Sequence, residues 1–188
     1  MKRAVALVGV LILGAVSGGA MTAGADTPKK VSATKYAKTL CKNYTAVAKA
    51  NKNFAESYNV LPINDPSTFQ TATLALGDQL LATYNTTVTQ LSAIYPNTSG
   101  GKANAATFTK KIQGNQSDLT DAFADLRAAD PMSAGFTGAN LGFNTTINLT
   151  LGSLNGLSDP FSSVTNSDLL KTFQQVKACK KVVTISGG

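Results

Sequence analysis

The chain predicts an all-α protein, an antiparallel four- to five-helix bundle tied by one disulfide. Three observations predict it. Apolar residues recur with a period near 3.6 along most of the chain. Pro- and Gly-marked breaks divide that pattern into segments of helical length. The chain also has just two cysteines among its 188 residues, one near each end of the patterned region, Cys41 and Cys179.

The first 25 residues read as a signal peptide. Met1-Lys2-Arg3 is a basic start, Ala4 to Val16 an apolar run, and Ala23-Gly24-Ala25 an A-x-A cleavage site ahead of the polar Asp26-Thr27-Pro28. The apolar run is short and Gly-containing for a membrane span of about 20 residues. Residues 26–188 are expected as one helical-bundle domain, secreted or associated with the cell envelope. Without Lys2 and Arg3 the formal charge falls from +7 to +5.

The first helix carries Tyr36, Leu40, Tyr44, Val47, Phe54 and Tyr58 on one stripe and ends before Pro62. Asn51 falls within that stripe, so it belongs at the rim or in a hydrogen bond. Asp65-Pro66 restarts the chain, with Asp as N-cap and Pro at the first helical position. Phe69, Ala72, Leu76, Leu80, Tyr84, Val88, Leu91 and Tyr95 then trace one face until Pro96 and the loop from Asn97 to Gly101. A third helix carries Ala105, Phe108, Ile112, Leu119, Phe123 and Leu126 and stops before Asp130-Pro131. Met132 to Asn140 reads as a loop. From Phe143 to Leu157 the pattern fits either strand or helix; helix is preferred, because a lone strand among helices has no partner. Asp159-Pro160 breaks it. The final helix starts near Thr165, with Asp168 as capping partner, and turns Leu169, Phe173, Val176 and Cys179 or Val183 inward.

Each cysteine touches an apolar stripe. In an exported protein two such residues are expected to pair; the other reading is two buried free thiols. A Cys41–Cys179 bridge joins the first helix to the last.

Composition excludes much chemistry. The chain has no His, so His-based triads, Cys-His dyads and His-ligated metals are absent. Ser32-Ala33-Thr34-Lys35 matches the S-x-x-K nucleophile pattern, without the companion S-D-N or K-T-G elements; a capping serine explains it better. Asp118, Asp121 and Asp125 share one helical face but lack the wrapping loop that calcium wants. They read as a solvated acidic face, and no metal or cofactor is expected. The tyrosines 36, 44, 58, 84 and 95 read as core residues, or as the lining of a cavity for a hydrophobic ligand. Arg127 is the sole arginine after the leader, which argues against nucleic acid as partner.

Lys35, Lys38, Lys42, Lys49 and Lys52 occupy the arc of the first helix opposite its aromatic stripe. They form either a solvated face or a contact for an anionic envelope polymer or lipid surface.

The leader, a first helix with Tyr36-Ala37-Lys38-Thr39-Leu40-Cys41 and a last helix with Val176-Lys177-Ala178-Cys179 together resemble uncharacterised small secreted helical proteins of actinobacteria. The resemblance covers the layout of the mature chain. It implies an exported, disulfide-tied helical protein and transfers no active site. The expected function is a non-enzymatic binding or structural role at the envelope or outside the cell. The second reading is a carrier of a small hydrophobic ligand held between the helices.

Overall fold

Helix α1 (Ala33–Tyr58) begins where Ser32, in an extended conformation, accepts the Lys35 N–H on its side chain at 3.2 Å. The computed structural model describes residues 27–155 and 166–180; the leader, Asp159-Pro160 and Val183 lie outside them. The aromatic stripe faces inward as its spacing requires: Tyr36, Leu40, Tyr44, Val47 and Phe54 are buried, and Tyr58 is half-buried.

Asp65 starts helix α2 (Pro66–Ser92), accepting the backbone N–H groups of Ser67 and Thr68 and the Thr68 hydroxyl. The Thr68 side chain, then its N–H, hold the Asp65 carboxyl below its usual range. The buried face of α2 differs from the expected one. Thr73, Gly77 and Thr87 join Phe69, Leu80, Tyr84 and Leu91, while Leu76 and Val88 are half-buried. The reason is close approach to helix α3 (Gly101–Ala128): a Cβ on Gly77 would overlap the Phe123 ring. Small side chains on this seam bring the backbones together, and the larger ones are displaced to its flank.

A second correction lies between those helices. The sequence reading carries the second helix on to Tyr95, but α2 stops at Ser92. Strand β2 (Ile94–Pro96) follows and pairs in parallel with strand β1 (Lys29–Val31), Lys29 opposite Ile94 and Val31 opposite Pro96. Pro96 lacks an N–H and ends the strand, where no donor is needed. Asn97 instead gives its N–H to the Val31 carbonyl at 2.7 Å. Gly100, at φ 65, turns the chain into α3 in the left-handed region that favours glycine.

Side-chain pairs give the helix directions. Asn43 donates to Gln90 and Tyr84 to Asn51, so residue numbers rise along α1 as they fall along α2. Gln70 donates to the Leu126 and Ala129 carbonyls, and Gln116 to Asn85, which sets α2 antiparallel to α3.

Helix α4 (Phe136–Asn155) confirms the helical reading of the ambiguous stretch as far as Asn155, Leu157 lying outside the described residues, but it starts inside the segment expected as loop. Its Phe143 packs on Phe123 and Tyr58 at ring separations of 5.2 and 5.9 Å. Helix α5 (Ser167–Gln175) starts close to the expected position and is capped by Asn166, whose side chain accepts the Leu169 N–H; Thr165, the expected start, lies outside the described residues. Phe173 meets Phe108 at 6.3 Å. Thus α4 covers the far ends of α1 and α3, and α5 covers their near ends. Val176 is extended and interrupts the last helix before a final helical turn at 177–180. Leu169, Phe173, Val176 and Cys179 are nevertheless all buried. Cys41 and Cys179 form a disulfide with Cα atoms 4.9 Å apart, closing 138 residues.

Candidate functional site

Lys35, Lys38, Lys42, Lys49 and Lys52 are all exposed along α1. Burial of the aromatic stripe fixes the helix about its axis and turns the opposite arc to solvent. Lys52 pairs with Glu56, the only acidic residue of α1, at 3.7 Å, with both side chains largely exposed. Such a surface pair contributes little and is screened by salt.

The disulfide adds a residue that the sequence reading missed. Lys42 follows Cys41, and Lys177 lies two before Cys179. Together with Thr45 and Ala178 they line a surface groove of about 350 Å³ beside the bridge. The cysteine pairing was the signal that could have found Lys177.

The other candidate residues have structural partners or stand apart. The Ser32 hydroxyl accepts the Lys35 N–H, so the S-x-x-K match is a helix cap. Asp118, Asp121 and Asp125 are exposed, and among the described residues no group of three or more His, Cys, Asp or Glu is placed to hold a metal ion.

The tyrosines divide. Tyr36, Tyr44 and Tyr84 are buried in the core, and burial pushes their hydroxyls up, that of Tyr44 to about 12. Tyr84 donates to Asn51 at 3.2 Å, which satisfies the buried Asn51 oxygen. Tyr58 donates to Asn144 at 2.7 Å. Tyr95 borders a cavity: with Ile94 it forms one wall of a groove of about 520 Å³, and Ala105, Ala106 and Thr109 form the other. Lys102 and Lys110 stand along the same groove. A third depression, of about 340 Å³ between α1 and α2, is bordered largely by polar groups such as Asn53, Gln79 and Thr83.

Comparison with known proteins finds no matching family model, no matching curated protein and no matching solved structure. No helix among the described residues is long and apolar enough to cross a membrane.

Proposed function

We propose that the protein is exported and acts as a non-enzymatic binding or structural protein, touching anionic envelope polymer or a lipid surface through the lysine face of α1. The observation that carries the proposal is the exposure of all five α1 lysines on one arc, with Lys177 added across the disulfide groove. The leader pattern and the disulfide support export. A non-enzymatic role is favoured because the Ser32 hydroxyl is engaged in a cap and the described aspartates are exposed at the surface.

A positive strip attracts polyanions and anionic headgroups with about 1 kcal/mol per lysine near a charged lipid surface. Replacing Lys38, Lys42 and Lys49 together by Gln is therefore expected to weaken binding to phosphatidylglycerol vesicles about a hundredfold at low salt. Binding of the unaltered protein should fall steeply as salt rises. A parallel titration with polyanionic wall polymer separates the two surfaces. Salt-insensitive binding, or none at low salt to either, overturns the proposal. N-terminal sequencing of the secreted protein should give Asp26; a start more than about three residues away contradicts the expected cleavage.

A further inference from the structure

We infer that the groove between β2 and the first half of α3 binds a single-chain anionic amphiphile, a fatty carboxylate, independently of the lysine face of α1. Ile94 and Tyr95 rise on one side of it. The opposite wall is α3, where Ala105 and Ala106 leave room that larger side chains would fill. Thr109 gives its hydroxyl to the Ala105 carbonyl at 2.9 Å, so its polar group is satisfied within its own helix and makes no demand on a ligand. The volume, about 520 Å³, falls within the usual range for small-molecule sites. From Lys102 to Gln113 the groove follows α3 for about 16 Å, a length that suits an extended acyl chain rather than a compact ring system.

The charge around the groove decides the ligand class. Among the described residues no acidic side chain lines it, and Lys102 and Lys110 are both exposed along it. The ion pairs among the described residues are Lys52–Glu56 and Arg127–Asp78, so neither groove lysine has a carboxylate within ion-pair distance there. An apolar trough bordered by ammonium groups and, among the described residues, by no acid complements a ligand with an apolar chain and a negative head. A neutral chain would fill the trough but leave the lysines unmatched. The flexible point charge of lysine suits a small carboxylate without demanding the planar fork that arginine offers.

The test is calorimetric titration of the purified, disulfide-bonded protein with dodecanoate below its micellar concentration, with thermal melts to verify folding of each variant. Saturable binding of one dodecanoate per chain is expected. Replacing Lys102 and Lys110 by Gln should weaken it about three- to tenfold, as loss of two exposed charge contacts does. Dodecanol should bind the unaltered protein more weakly than dodecanoate by a similar factor. Ala106→Trp, at an exposed position of the groove wall, should abolish binding, whereas the Lys38/Lys42/Lys49 Gln variant should bind dodecanoate normally and lose only the vesicle interaction. Absence of saturable binding overturns the inference. So does dodecanol binding as tightly as dodecanoate, or dodecanoate affinity unchanged in the Lys102/Lys110 variant. Vesicle binding lost in the Lys102/Lys110 variant with no dodecanoate bound by the unaltered protein assigns the groove to a membrane surface and also overturns it.

Discussion

Replacing Cys41 and Cys179 together by Ala removes the one covalent tie between the two ends of the fold. The bridge closes 138 residues, and loop-closure entropy for a loop of that length corresponds to about 5 kcal/mol at 25 °C. A domain of this size has a total stability of about 5–15 kcal/mol, so the loss is a large fraction of it. The damage should begin at α5. Its docking buries Leu169, Phe173 and Val176, worth about 1.5–3 kcal/mol each. Ordering a nine-residue helix costs about 1–2 kcal/mol per residue of backbone entropy, so without the tie this burial does not hold α5 in place. Urea titration followed by circular dichroism should show the midpoint falling by about 2.5 M for a slope near 2 kcal/mol per molar. Hydrogen exchange should show residues 166–180 losing protection first, with α2 and α3 still protected in native buffer. A variant that loses less than about 1 kcal/mol and keeps α5 protected would refute the reasoning, as would one in which α2 and α3 lose protection together with α5.

Gly77→Ala should destabilise the protein by about 1–3 kcal/mol, because its Cβ must displace the Phe123 ring in a packed seam. Gly114→Ala, also in a helix interior but with nothing within 4 Å of the added atom, should stabilise by up to about 1 kcal/mol; a pair of thermal melts checks both. Alkali should unfold the protein through Tyr36, Tyr44 and Tyr84. Their folded values are raised above the usual 10, so their contribution is complete below pH 10 and is lost as pH rises towards the folded values, about 12 for Tyr44. Phenolate absorbance should appear for these three only together with the loss of helix; absorbance that develops fully while the helices persist would contradict their burial.

The sequence shows most clearly what one residue type can do at one place. Asp65-Pro66 marks the start of α2 because capping is local. The α1 stripe is legible because bulky residues occupy it from Tyr36 to Phe54, and the lysine face follows as its complement. Sequence pattern misleads where the inward residues are small. On α2, Leu76 and Val88 look like core, yet close backbone approach selects Thr73, Gly77 and Thr87. Strand β2 has three residues, too few to show a period, and Pro96 reads equally well as a helix stop. Extended Val176 leaves no trace, since the break does not change which residues are buried. The groove is illegible for a related reason: Ala105 and Ala106 define it by lacking bulk, which matters only once Ile94 and Tyr95 are set beside them.

The span between the cysteines also orders events in time. At a synthesis rate of about 5–20 residues per second, Cys179 follows Cys41 by roughly 7–28 s. During that interval α1, α2 and α3 can assemble through neighbouring contacts, each helix antiparallel to the one before it, while the Cys41 thiol waits. Its partner arrives only with the last turn of the described chain, after α5 has been made. Oxidation therefore registers that the chain has been made as far as residue 179. A chain cut short before residue 179 has no second cysteine to offer and carries a lone thiol on α1, a chemical mark that sets it apart from the bridged molecule.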